Sequence, residues 1–413
     1  MSSAPAAPEV SPRPNRYGWV IVAACALMIF VTYGLIYSYS VFFKPLAAHF
    51  LWDRAAVSMV YSFAVVIRGA SAIGIGWLAD RYSARWVMVF CGLMMAAGYL
   101  LSSRVTGLGQ FFLTYAVIEA IGMSGAWGIC TAVPSRWFTK NRGMILGLVV
   151  AGSGLGTLLI VPLAERLVDA FEWSRAFVIC GIGAGVLMVV SALFLRNPPG
   201  YAVLNNKNQP PEGVSVSRAL GDTRFWLIIL TFLFFFFGSQ IIMVHLVNYA
   251  TDVGIDPLLA ATFVGVIGAV SVFSRISMGV ASEKLGIYKM MLVTRLALVA
   301  VFVLLVFTRS VWAFYLIAAL FGIPYGGEVT QIPFVIGRFF GTRNMATLMG
   351  ISVFGINVGG AFGAWLAGYI FDTTDSYNWA FWSGAIAAVI SLALMWWLRG
   401  AEVRKGEILN TKL

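Results

Sequence analysis

The chain has 413 residues, of which 60% are hydrophobic, 15% aromatic and only 11% charged. A soluble globule of this size cannot hide so much apolar surface under so thin a polar shell, so the composition excludes one and points to a protein that crosses a membrane many times. The formal net charge of +11 invites a nucleic-acid reading, but no basic stretch forms a reading head and the excess is explained by membrane topology.

Twelve apolar runs follow one another, over residues 17–44, 55–78, 86–103, 110–133, 143–166, 175–196, 223–249, 258–281, 288–307, 311–336, 344–370 and 379–399. Lipid offers no partner for backbone N–H and C=O groups, so runs of this length read as helices; barrel strands would give shorter, alternating signals. The first run is longer than a signal-peptide core, and no small-residue cleavage site follows it, so it is retained as a span. It carries Tyr37 in "LIYSYSVFFKPL". The second holds Arg68 and ends in "GWLADRYSARWVM", with Asp80, Arg81 and Arg85. Tyr115 and Glu119 lie in the fourth, and "RWFTKNRGMILGLVVAGSGLG" leads into the fifth. The polar stretch "RNPPGYAVLNNKNQPPEGVSVSRALGDTR" then separates six spans from six.

In the second six, the seventh span carries His245 and Asn248, and the eighth carries Arg275 in "GAVSVFSRISMGV" before "GVASEKLGIYKMM" with Glu283 and Lys284. The tenth has Tyr325 and Glu328 in "FGIPYGGEVTQIPF", the eleventh has Asn357, and Tyr377 precedes the twelfth. Cys25, Cys91, Cys130 and Cys180 all fall in spans without metal-ligand spacing and read as packing residues. With the amino terminus in the cytoplasm, the face opposite holds only Lys44, Arg54, Arg104, Arg166, Arg175 and Arg309 of the basic residues outside the spans' interiors. That asymmetry places both termini in the cytoplasm.

The halves repeat. "GWLADRYSARWVM" is matched by "GVASEKLGIYKMM", and the stretch from "RWFTKNRG" to "EWSRAF" by that from "RFFGTRNM" to "YNWAF", at an offset a little over 200 residues. These motifs resemble the major facilitator superfamily of secondary transporters. The resemblance implies an all-α membrane protein with twelve transmembrane helices in two pseudo-symmetric six-helix bundles, at residues 17–196 and 223–399. It leaves a cytoplasmic tail (1–16), a linker (197–222) and a second tail (400–413). It makes Asp80, Arg81, Arg85, Glu283 and Lys284 gating charges on the cytoplasmic side.

A charge at the bilayer centre costs at least ~2.5 kcal/mol on insertion scales, so each deep one needs a partner or a task. Arg68 and Glu119 sit at comparable depth in one half and read as a structural ion pair. Arg275 has no acid in its own span, which leaves two readings: a structural arginine paired with Glu328, or a cavity-facing counter-charge for an anionic substrate. A guanidinium stays charged and offers a fork that fits a carboxylate bidentately.

The same segments are similar to the monocarboxylate transporter family and to the related oxalate and formate exchangers. "RWFTKNRGMILGLVVAGSGLG" resembles one family signature, "RYGWVIVAA" loosely another, and "FSRISMG" the segment carrying the family's substrate arginine, which falls on Arg275. Three departures stand out. Ser271 occupies the place of an aspartate one turn before the arginine, Tyr37 lies near the place of a lysine with Lys44 about two turns on, and Asn357 replaces the exchangers' second positive charge.

One strong positive charge suits a monoanion such as lactate or pyruvate better than a dicarboxylate. Tyr37, Tyr115, Asn248, Tyr325, Asn357 and Tyr377 are candidates to complete the pocket, and His245, Glu119 or Glu328 to carry a coupled proton. The expected function is therefore secondary transport of a small monocarboxylate with a proton across the plasma membrane, by a protein that is monomeric and needs no cofactor or metal. An oxalate/formate-type exchanger and a non-transporting metabolite sensor are the rivals. No Walker loop, zinc motif or nucleophile constellation suggests an enzyme.

Overall fold

The computed structural model describes residues 16–52, 54–138, 140–199 and 213–410. The expected amino-terminal tail up to residue 15, most of the linker (200–212), and the side chains of Lys44 and of residues 401–410 lie outside the described residues, as do residues 411–413.

Helices make up nearly all of it: α1 (Arg16–Phe50), α2 (Arg54–Arg81), α3 (Ala84–Ser102) and α4 (Leu108–Trp137) in the first half. A 52-residue helix, Arg142–Leu193, comes next. At about 1.5 Å per residue it runs about 78 Å, far more than the roughly 30 Å apolar slab of a bilayer. It breaks at Glu172, whose φ of 65° leaves helical space, and its arms are numbered α5 (142–171) and α6 (173–193). The second half contains α7 (Thr223–Asp252), α8 (Pro257–Leu285), α9 (Ile287–Phe307), α10 (Val311–Phe340), α11 (Met345–Thr374) and α12 (Asn378–Asn410). Twelve crossings result, as the apolar runs predict. The one surprise is the fifth-to-sixth junction, where a single residue turns the chain instead of a polar loop.

The packing repeats as the sequence does. In the first half α1 lies on α5, α2 on α4 and α3 on α6; in the second α7 lies on α11, α8 on α10 and α9 on α12. The two bundles meet along α2 with α11 and α5 with α8. Glycine makes those seams possible: a Cβ on Gly76 would strike the Ala346 carbonyl, and one on Gly143 the Gly279 carbonyl. Both seams lie toward the ends of α2 and α8 and the starts of α5 and α11, the side of the membrane on which the two chain ends fall.

One sequence expectation is corrected within the second bundle. Glu328 does not pair with Arg275; its Oε1 lies 2.5 Å from Arg295 Nη2, and its Oε2 accepts from Thr294 Oγ1 at 2.8 Å. Arg295 and Glu328 are both fully buried. Arg295 also donates to Ser391 Oγ and the Met291 carbonyl, and lies over the rings of Phe232 and Phe235. The physical reason is register: α10 turns Glu328 toward α9, where a complete partner waits. Arg295 lies inside the ninth apolar run, at a position the sequence reading did not single out.

This pair makes a clear stability prediction. Arg295→Met strands a buried carboxylate and should cost about 3–5 kcal/mol, whereas Arg295→Met with Glu328→Leu, which removes both charges, should restore most of it. Thermal unfolding of the purified variants checks this; equal losses in the single and double variants would refute it.

Candidate functional site

α8 carries Arg275 to the seam with α5, where it is only 7% exposed. Its Nη1 donates to Ser153 Oγ at 2.6 Å and more weakly to the Val150 carbonyl at 3.4 Å, while Nε is buried without a partner. No carboxylate lies within ion-pairing distance of it among the described residues. The "AGSGLG" run supplies the room: a Cβ on Gly154 would press against Val272 and sit 3.0 Å from Arg275 Nη1. Ser271 offers no charge, and its hydroxyl donates to the Gly268 carbonyl of its own helix.

Tyrosines gather around this guanidinium. Tyr33, Tyr37 and Tyr325 lie within its electrostatic range, and Tyr61 and Arg68 lie within that of Tyr33. Tyr37 is 41% exposed although it lies within electrostatic range of these groups. Trp127 meets Tyr33 edge-on at 5.3 Å, and its indole N–H is buried with no partner. Phenols, an indole N–H and the Arg275 fork, with Arg68 within electrostatic range of Tyr33, make a region whose chemistry suits a small organic anion. The sequence pointed to Tyr37, Tyr325 and Arg275. It missed Tyr33, Tyr61, Trp127 and Ser153, although Tyr33 and Tyr37 are one helical turn apart and share a face.

Other candidates fall elsewhere. Tyr115 is not beside Arg275 but within the first bundle, 1% exposed and packed against Tyr39, Tyr99, Phe111 and Phe177. Its neighbours there include Glu119 and Arg68. Glu119 ends a π-helical stretch, Phe112–Glu119, in α4. It lies 3.9 Å from Arg68, and neither of its oxygens accepts a hydrogen bond. π-Helical turns concentrate at functional positions because they re-aim side chains within a helix.

His245 is not at a wet helix end: it is 8% exposed, with Nε2 2.9 Å from the Ala364 carbonyl and Nδ1 3.2 Å from Tyr377 Oη. A carbonyl only accepts, so Nε2 donates to Ala364, and Nδ1 shares a hydrogen bond with the Tyr377 hydroxyl. Tyr377 is thereby committed to His245 and stacks on Phe371 at 4.5 Å. Asn248 and Asn357 are exposed, and among the described residues neither is hydrogen-bonded to Arg275.

The expected gating acids do cross between bundles. Asp80 is held by Arg136 at 2.8 Å, and its Oδ2 accepts from the Thr347 N–H and hydroxyl, each at 2.8 Å, so an α2 carboxylate caps the start of α11. Glu283 does the converse: its Oε1 accepts from the Gly143 N–H at 2.5 Å, so an α8 carboxylate caps the start of α5. Exposed helix N-termini attract anions because their first N–H groups lack partners. The basic partners differ from expectation. Arg81 stacks near Trp77 and Tyr82, Arg85 donates to the Leu195 carbonyl within its own bundle, and Lys284 is exposed; Arg136, not singled out, holds Asp80.

The sequence profile described as Major Facilitator Superfamily matches residues 25–327 and again 278–412. The chain belongs to the major facilitator superfamily. It is therefore a multi-pass membrane transporter, not an enzyme. Among curated relatives it is 25% identical to Monocarboxylate transporter 12 of Xenopus laevis, over 90% of this chain and 86% of that protein. It is also 25% identical to the Oxalate:formate antiporter of Oxalobacter formigenes, over 92% of this chain and 90% of that one. Among solved structures, the superfamily transporter FucP in its outward conformation superposes with a TM-score of 0.75 at 14% identity, covering 93% of this chain and 99% of FucP.

For a major facilitator transporter, parting the bundles on the termini side means breaking both carboxylate caps, each a charged hydrogen bond worth about 1.5–3 kcal/mol. Met349, buried beside the α2–α11 seam, reports on that opening. A cysteine at Met349 should react with a water-soluble thiol reagent about tenfold faster when Asp80→Ala is added. An unchanged rate would show that Asp80 does not hold the seam.

Proposed function

We propose that this transporter carries a small monocarboxylate such as lactate or pyruvate together with a proton, by alternating access to a central cavity in which Arg275 is the counter-charge. The observation that carries this reading is the state of Arg275: buried at membrane depth, bonded only to neutral acceptors, with Nε unpartnered. A guanidinium in that condition gains most from an incoming carboxylate, which brings both the missing charge and two acceptors. Tyr33, Tyr37 and Tyr325 offer hydroxyls to the same substrate, and the similarity to a monocarboxylate transporter supports the substrate class. The basic-residue asymmetry supports a plasma-membrane orientation with both termini cytoplasmic, so the closed termini side corresponds to an outward-facing state.

For the coupled proton, Glu119 is the carboxylate whose bonding leaves protonation free to change. Glu328 is committed to Arg295 and Thr294, and both ring nitrogens of His245 are occupied. Glu119 has only a long contact with Arg68. Arg68 in turn is within electrostatic range of Tyr33, so a proton arriving at Glu119 changes the charge balance felt at the proposed site.

Exchange is the second reading, and one observation favours it: Arg68 and Arg275 reach the same Tyr33, giving the cavity two cationic centres. Liposomes containing the purified protein separate the two. Labelled lactate should accumulate uphill under an inward proton gradient; dependence on trapped oxalate or formate instead would establish exchange, and binding without flux would refute transport of these acids.

Arg275→Lys keeps the charge but loses the fork, and uptake should fall about tenfold or more. Near-normal uptake would remove Arg275 from the site. Glu119→Gln should abolish gradient-driven accumulation while sparing lactate/lactate counterflow; retained accumulation would assign the proton elsewhere.

A further inference from the structure

On the termini side, away from Arg275, a cavity of about 680 Å³ opens between the turn joining α4 to α5 and the turn joining α8 to α9. Lys140, Arg142, Ser282, Glu283, Lys284 and Arg338 line it, so four cations face one carboxylate. That carboxylate is engaged, since Glu283 accepts the Gly143 N–H at 2.5 Å. Lys140 and Lys284 are exposed and form no ion pair among the described residues. Ser282, one of the lining residues, is only 3% exposed, and its buried hydroxyl has no hydrogen-bond partner. Gathering like charges at one place costs energy, and so does leaving a buried hydroxyl unserved. Neither is needed for the Glu283 cap or for the aromatic cavity.

We propose that this cavity binds a phosphate-bearing anion, and that its occupancy holds the termini side closed. A phosphomonoester carries about two negative charges and three acceptor oxygens, enough to engage cations from both walls and the Ser282 hydroxyl together. A monocarboxylate, with one charge and two oxygens, engages fewer of these groups at once, Lys140 and Lys284 above all. Lys140 and Arg142 belong to the first bundle, and Ser282, Lys284 and Arg338 to the second. The complete site therefore exists only while α5 and α8 are together. A ligand that binds one conformation alone shifts the population toward it, so the anion slows opening on this side. The phosphate is either free in solution or the headgroup of an acidic lipid, because both present the same group.

The test uses the full-length protein with inorganic phosphate as probe, in detergent, against chloride at matched ionic strength. Phosphate should bind measurably by calorimetry and slow labelling of a cysteine at Met349 severalfold. Lys140→Gln with Lys284→Gln should weaken phosphate binding at least tenfold. Ser282→Ala, which removes only the hydroxyl, should weaken it severalfold and serves if the double variant does not fold. Nanodiscs of phosphatidylcholine with and without phosphatidic acid form the second arm: protection by phosphatidic acid alone assigns the site to the headgroup, and protection by inorganic phosphate assigns it to the free ion. Absence of protection in both arms, or equal binding by the wild type and the variants, overturns the proposal.

Discussion

A guanidinium buried at membrane depth without a carboxylate is the constraint on which this structure turns. Arg275 belongs to the second bundle, yet its one short hydrogen bond goes to Ser153 of the first. Insertion of an arginine at that depth costs at least ~2.5 kcal/mol, and a hydroxyl offsets only part of it. The residual cost is a reservoir that an anion can relieve, and because the bond spans the seam, relieving it bears on how the two bundles sit together.

Three arginines within the spans, Arg275 and Arg295 buried and Arg68 partly so, are handled in three ways. Arg295 is neutralised completely by Glu328, two hydroxyl-bearing residues and two aromatic rings, and serves as internal structure. Arg68 faces Glu119 at 3.9 Å, a pairing loose enough to change with one proton. Arg275 has neutral acceptors only. By holding Glu328 on the α9 side, Arg295 also keeps the nearest acid of α10 away from Arg275. Around them, Asp80 and Glu283 close one side by capping helices of the opposite bundle, a reciprocal arrangement that follows from the duplication.

The fold was legible because its determinants are local: apolar run length, polar breaks and the echo between halves all read from neighbouring residues. Even the α5–α6 break was visible as the polar stretch near Glu172. The site was legible where charge made a residue conspicuous, as with Arg275 and the acids of the two loops. It was not legible where helix rotation decides. Tyr115 and Tyr325 look alike on the page, yet Tyr115 turns into an aromatic core and Tyr325 toward Arg275. Glu328 turns to α9 for the same reason. Ser153 lay inside the glycine-rich run "AGSGLG" with no charge to mark it, and the acceptor His245 finds, the Ala364 carbonyl, belongs to a helix more than a hundred residues on.

The most direct test of the account is a structure of the purified protein at saturating lactate. The account predicts the lactate carboxylate seated on Arg275, both oxygens about 2.7–2.9 Å from guanidinium nitrogens, within reach of the tyrosine hydroxyls. Lactate bound elsewhere, with Arg275 still served by Ser153 and Val150 alone, would contradict it.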